Sequence, residues 1–416
     1  MIYRPAFRLL PWLPALAVTA LAQPRDERSA AFDLLSRDSS EWYVPKTTVS
    51  FGLRVLSSGA EVRFGNLGSI PLNLTVAPIS EGEVDRLYHN GAVFRDLPRA
   101  NEVDADGNQT STPGGRYVGS VPDQDGNPVV VGDFLSYTPG RTRGWNYRSS
   151  AQLSTPGFVG QSVYSATSDG GTASKDQGPT GGIDVQLARA LNKPGGRLRW
   201  SLVAGLALSD INAKTNGTVS STLRTRTDFY SLNGQTAPDA PYTAPSFVDI
   251  LDASGNVLSS LGRETTVPLA AIPSLTTNSA VAGAAAVQGN WQIRGAYFLL
   301  KLGPSVRTRL SDRLGLSASA GVAGAYSGSR YSVVESLTLP DVLDPISVTE
   351  ESVENKFLGG FYADVTLDWL MNERTGLFGG VTMQQLGDYD QAVGGRTANI
   401  DLGNRVGVRG GINIRF

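Results

Sequence analysis

The sequence predicts an all-β fold: a transmembrane, antiparallel, up-and-down β-barrel of about eight strands, with ten as the alternative, carrying long loops. Three observations point there. Segments near the ~9–11 residues needed to cross a bilayer as a tilted strand alternate apolar and polar side chains. Such alternation places one face against an apolar medium and the other against a polar one. The connections between these segments alternate short and long. After the first 22 residues, no run is long and apolar enough for a spanning helix.

Taken in order, residues 1–22 read as a secretory signal peptide: basic Arg4 and Arg8, an apolar stretch, and Ala20-Leu21-Ala22 as an A-x-A cleavage site. Residues 23–45 read as a periplasmic lead ending in Trp42 and Tyr43, and 46–416 as the barrel. The first strand is 46–56, with Val49, Phe51, Leu53 and Val55 on one face and Ser50, Gly52 and Arg54 on the other. Residues 61–66 fit either a continuation past a bulge or a hairpin partner. The region 68–180 is rich in Pro, Gly, Asp and Asn and reads as a large loop, with possible strand extensions at 129–131 and 162–166. Strands return at 183–191 and 197–209. Then 210–294 reads as a second large loop, followed by strands at 296–310 and 314–326, a loop at 335–354, strands at 357–371 and 376–386, and a terminal strand. Tight turns at 192–195, 311–313 and 372–375 alternate with the long connections, as short periplasmic turns and long outer loops do in such barrels.

The terminal strand, 400–416, is read as alternating without a break, with Ile400, Leu402, Val406, Val408, Ile412, Ile414 and Phe416 on the apolar side. Its Arg409-x-Gly411-x-x-Ile414-x-Phe416 resembles the terminal β-signal of bacterial outer-membrane barrels. That resemblance implies residence in the bacterial outer membrane, with outer-membrane lipids and the barrel-assembly machinery as partners. It also implies that the chain ends in the periplasm, which puts all three tight turns there and the long connections outside. A second pair of stretches, Arg86-x-Tyr88-x-Asn90-Gly91-x-Val93 and Trp145-Asn146-Tyr147-x-Ser149 through Gln152, is similar to a pattern in uncharacterised outer-membrane barrel proteins. His89-Asn90 and Trp145-Asn146 depart from that pattern, which brings no activity with it.

If the apolar face meets lipid, the polar face lines the lumen. The expected lumen-facing residues are Arg54, Arg197, Arg199, Lys301, Arg307, Asp364, Asp368 and Arg405. Eight strands leave an interior just filled by side chains. A packed network of Arg–Asp pairs is therefore the favoured reading, and a basic anion path through a wider barrel is its rival.

The sequence offers little chemistry. There is no cysteine, so disulfides and thiolate sites are excluded. The formal net charge of −2 gives no reason to expect nucleic acid. The only histidine, His89, lies in the irregular region, so a barrel hydrolase built on it is the weakest functional reading. No nucleophile elbow, phosphate loop or zinc cluster is present, and neither a catalytic residue nor a cofactor is expected. Asp104, Asp106, Asp123 and Asp125 lie in fragments that look like calcium loops. The twelfth-position carboxylate is missing, since Pro113 and Gly132 stand there, and ordinary Asp-Gly turn chemistry accounts for both fragments. The expectation is a non-enzymatic barrel with a structural or surface-interaction role and an unknown surface ligand. A porin-like pore with a basic lumen is the alternative.

Overall fold

A computed structural model describes residues 46–95, 119–122, 128–131, 139–154, 157–191, 198–243, 247–251, 257–262 and 267–416. Eight antiparallel strands form a closed ring. In chain order they are β1 (Thr47–Leu56), β2 (Thr180–Ala190), β3 (Leu198–Ser231), β4 (Leu275–Arg309), β5 (Leu314–Leu337), β6 (Ile346–Leu370), β7 (Thr375–Leu386) and β8 (Arg405–Arg415). Each pairs with its sequence neighbour, and β8 returns to β1. Thr48 sits opposite Arg415, and Thr47 and Phe416 exchange backbone hydrogen bonds of 3.1 and 2.8 Å that seal the seam. The expected count of eight, rather than ten, is what the ring contains.

The turns Leu310–Leu314 and Met371–Thr375 close hairpins at one end of the ring, and both chain ends of the barrel lie there. Around this turn end the outward residues are apolar and exposed: Leu53, Ile183, Trp200, Leu202, Leu300, Val322, Phe361, Val365, Trp369, Val381 and Val408. The inward residues are mostly polar or small, with the Phe378 ring among them. An exposed apolar belt around a polar interior is the arrangement a bilayer selects. Among the described residues no helix is long and apolar enough to cross a membrane.

At the far end the architecture changes. β1, β2, β7 and β8 stop at kinks, and their chain continues as a second, four-stranded sheet. Its order is Gly171–Asp176, Glu61–Leu67, Arg396–Asp401, Asp388–Val393, which repeats the order β2-β1-β8-β7 beneath it. The other four strands, β3 to β6, run straight on. The two halves close on an apolar core, with Val62, Phe64, Tyr389, Ala398 and Ile400 on one side and Trp291, Ile293, Tyr331 and Val333 on the other.

Two sequence expectations are corrected here. The unbroken alternation over 400–416 is interrupted at 402–404. Ile400 and Leu402 are buried in the far core, whereas Val406 and Val408 face outward, so the kink reverses the faces. The large loops are also shorter than expected. Residues 210–231 and 275–294 belong to β3 and β4, and much of 335–354 belongs to β5 and β6, leaving 338–345 as their connection. Within 68–180, Phe158–Ser168 is a strand paired with the tip of β3. In these stretches the apolar face turns inward and the polar face outward, so they do not continue the lipid-facing pattern on which the reading relied.

Above the far core, a third unit forms from short strands: Arg86–Tyr88, Gly91–Val93, Trp145–Tyr147 and Tyr242–Thr243 in one sheet, packed on Phe158–Ser168 and the β3 tip. Its own core contains Tyr88, Val93, Trp145, Tyr147, Val159, Val163, Tyr230 and Leu269. This unit is called the head below.

Candidate functional site

The lumen is crossed by a closed square of four charges. Lys301 on β4 lies 3.4 Å from Asp184 on β2 and 3.3 Å from Asp364 on β6. Arg409 on β8 lies 2.8 Å from Asp184 and 3.2 Å from Asp364. Every side chain of the square is at most 2% exposed. Two cations and two carboxylates alternate around the ring, so the layer is neutral. Asp364 is completed by Gln186, which donates at 2.9 Å, and by the Thr382 hydroxyl. The Lys301 ammonium also sits over the Tyr362 ring and the Arg409 guanidinium over Phe378, at 5.4 and 4.9 Å from the centroids.

A second polar layer lies toward the far end. Arg54 donates to Ser209 Oγ at 2.6 Å and to Gln384 Oε1 at 3.1 Å, while Gln384 donates to Tyr297 OH at 2.7 Å. Toward the turn end, Asp368 accepts from Ser317 at 2.8 Å and from Asn413 at 2.9 Å, and pairs with Arg307 at 3.3 Å. The three layers occupy the narrow interior that an eight-stranded ring leaves.

Arg409 and Gly411 of the terminal motif thus have interior roles. A Cβ on Gly411 would stand 2.1 Å from the Phe51 carbonyl oxygen, and one on its neighbour Gly52 would stand 2.8 Å from the Phe378 ring. The Phe378 ring fills the space that Gly52 leaves. Ile414 is half-buried and Phe416 is exposed at the turn-end rim.

The other expected lumen residues are placed as follows. Arg54, Lys301, Asp364 and Asp368 are buried inside the ring, and Arg199 and Arg307 are half-buried near its mouth. Arg405 lies at the kink, donating to the Asp401 carbonyl at 3.0 Å. Arg197 and the calcium candidates Asp104, Asp106, Asp123 and Asp125 lie outside the described residues, as do the signal peptide and the lead. Among the described residues, no group of three His, Asp or Glu side chains converges as a metal site would require.

Sequence reasoning missed the clamp in the far core. Glu335 on β5 is fully buried. Its Oε1 accepts from Trp291 Nε1 and from the Gly68 backbone, both at 2.9 Å. Its Oε2 pairs with Arg396 at 2.9 Å, and Arg396 reaches on to Glu350 and to the Ser69 carbonyl. The clamp ties the kinked sheet to the straight strands. Its residues lay in stretches read as loop, and no local signal connects Glu335 with Arg396.

The head uses the two short motifs for packing. They pair as strands, with Val93 opposite Trp145 and Gly91 opposite Tyr147. A Cβ on Gly91 would strike Gln161 and the Asn146 carbonyl. Asn90 accepts from the Ser162 backbone at 2.6 Å. Buried Arg86 donates to the carbonyls of Ala77, Pro78, Gly82 and Val84 at 2.9–3.3 Å and staples that loop. Trp145 donates to the Val267 carbonyl at 3.1 Å and stacks on Tyr147. Ser149 and Gln152 form a capping box around one helical turn.

His89 is a structural residue of the head. Its Nδ1 accepts from the Tyr164 backbone at 2.8 Å, which leaves the proton on Nε2 to donate to Asn73 Oδ1 at 2.8 Å. Its ring stacks on Tyr164, and burial holds its pKa below the ordinary imidazole value. Nearby, Tyr88 donates to buried Asp228 at 2.8 Å and meets the Tyr230 hydroxyl at 2.6 Å; burial pushes the Tyr230 phenol up to about 12.

No protein-family model matches the chain, and no curated protein sequence matches it. Among solved structures it is similar to the outer membrane protease OmpT from Escherichia coli, at 9% identity over 91% of this chain and 99% of that one, with a TM-score of 0.27. It is also similar to a FadL homologue from Pseudomonas aeruginosa, at 8% identity over 90% and 91%, with a TM-score of 0.15. The expectation that the chain is not an enzyme is corrected by the first of these, since a protein it resembles is named a protease. At that distance the likeness establishes no enzymatic role for this chain.

Proposed function

We propose that this chain is a bacterial outer-membrane barrel whose lumen is closed and whose role is to hold the folded head at the cell surface, for structure or for surface interaction. The observation that carries this is the neutral charge square. A transport path would have to breach a layer in which each buried charge already has two partners of opposite sign. The apolar belt would meet outer-membrane lipids. The turn end would face the periplasm, because a carboxy-terminal motif read by the barrel-assembly machinery must be presented there. The far core and the head would then stand outside the cell, and the exposed Asn233–Gly234 turn of the head would be available to a surface ligand.

Three measurements test this reading. Folded protein in planar bilayers should show no stable open steps, and a steady conductance would overturn the closed lumen. A short epitope inserted at Gly234 should stain on intact cells. Staining only after the outer membrane is permeabilised would invert the topology. Deleting Phe416 should remove the heat-modifiable, folded species from the outer-membrane fraction.

A further inference from the structure

Below the charge square, the turn-end mouth of the lumen is unbalanced. A cavity of about 90 Å³ lies there, with Asp364 and Arg409 of the square on its wall together with Lys46, Arg199, Arg307 and Asp368. It is several times the roughly 10–15 Å³ that accommodates one water. Arg199 on β3 stands directly opposite Arg307 on β4 in the strand register. Like charges placed directly across a strand pair destabilise a sheet unless something compensates them.

Little in the protein does. Arg415 feels the charges of Arg307, Arg199 and Arg309, against the carboxylate of Asp368. Asp368 is already engaged by Arg307, Ser317 and Asn413. Among the described residues, no ion pair reaches Arg199. Arg415 is 93% buried, its residual exposure being 7%, and its Nε and Nη2 have no hydrogen-bond partner. A buried guanidinium with unused donors is costly, and its charge adds to those of Arg199 and Arg307.

We propose that this mouth binds an oxyanion of the phosphate class, held between Arg199 and Arg307 on the cavity wall. Planar guanidinium forks match the paired oxygens of a phosphate and form charge-assisted hydrogen bonds to them. The bound anion relieves the Arg199–Arg307 repulsion and offsets the excess positive charge of the mouth. The site depends only on the ring interior, so it stands or falls apart from the proposed surface role of the head.

The test uses the full folded chain in a non-phosphate detergent, monitored by its thermal midpoint. One arm adds inorganic phosphate against chloride at equal ionic strength; the other adds short-chain phosphatidic acid to the micelles. A rise in midpoint with either probe supports the site. A response to inorganic phosphate assigns a soluble anion, and a response to phosphatidic acid alone assigns a lipid headgroup. Arg307→Gln and, separately, the more peripheral Arg199→Gln should bind the effective probe on the order of tenfold more weakly. Arg199→Gln should also be more stable than the parent without anion, since it removes a like charge without breaking an ion pair. Arg313→Gln, in the exposed Leu310–Leu314 turn, should behave as the parent. No midpoint response to either probe overturns the proposal, and so does a response that persists in both variants.

Discussion

The turn-end and far-end halves of the long strands have opposite interiors. On β5, the turn-end half turns Gly315, Ser317 and Ser319 inward and Leu316 and Val322 outward. The far half turns Tyr331, Val333 and Leu337 inward and Arg330, Ser332 and Ser336 outward. On β4, Lys301 and Arg307 point inward below Trp291 and Ile293, while Leu300 and Leu302 point outward below Arg294 and Gln292. The backbone is continuous and the side-chain parity is unchanged. What differs is the medium outside the wall: an apolar belt demands a polar, paired interior, and a wetted surface demands an apolar core. The changeover is marked on the outer face by Phe298, Tyr326 and Phe357, consistent with the aromatic girdle of a membrane interface.

The sharpest way to break this contrast is through the two buried charge clusters. Asp364→Ala removes the partner shared by Lys301 and Arg409 and leaves two cations uncompensated, a loss of about 3–5 kcal/mol. Urea unfolding in liposomes should show it, with the folded fraction falling as a whole. Glu335→Ala, in the far half, should cost a similar or slightly smaller amount but act locally, for only the far sheet hangs on that clamp. Limited proteolysis should then cut the far-end segments while the ring keeps its heat-modifiable mobility. Uniform loss in both variants would mean that the halves fold as one unit.

A smaller effect tests the media directly. Val322 and Val334 are the same residue type on the same face of β5, 56% and 45% exposed. Val322→Arg should cost about 2–4 kcal/mol, as a cation on the lipid face does. Val334→Arg should stay within about 0.5 kcal/mol, as a surface substitution does. Equal costs would remove the assigned boundary.

The smallest expected effect concerns the head. His89 has its pKa lowered by burial, so the unfolded state takes up its proton at higher pH than the folded one. The contribution of neutral His89 is therefore present above the ordinary imidazole pKa near 6.5, and it is lost as pH falls from there through the lower folded value. Hydrogen exchange of the head amides should accelerate over that window, first at Tyr164, whose N–H the imidazole accepts. His89→Phe should flatten the dependence, and a profile unchanged by that substitution would remove His89 as its cause.

What the sequence determined alone was the part of the molecule in which apolar alternation survives. The eight strands of the ring, their antiparallel order and the inward set of Arg54, Lys301, Asp364 and Asp368 follow from period-two patterning against an apolar medium. Tertiary structure decided the rest. The faces of the last strand reverse at 402–404, because the kink that turns Ile400 into the far core has no signature in an alternating string. The far strands and the Glu335–Arg396 clamp bring together residues distant in sequence, in stretches where the apolar face has turned from the outside to the inside. Pairing of Asp184 and Asp364 with Lys301 and Arg409 was likewise out of reach. Alternation gives the face on which a charge lies, whereas its partner across the lumen is set by strand register and ring closure.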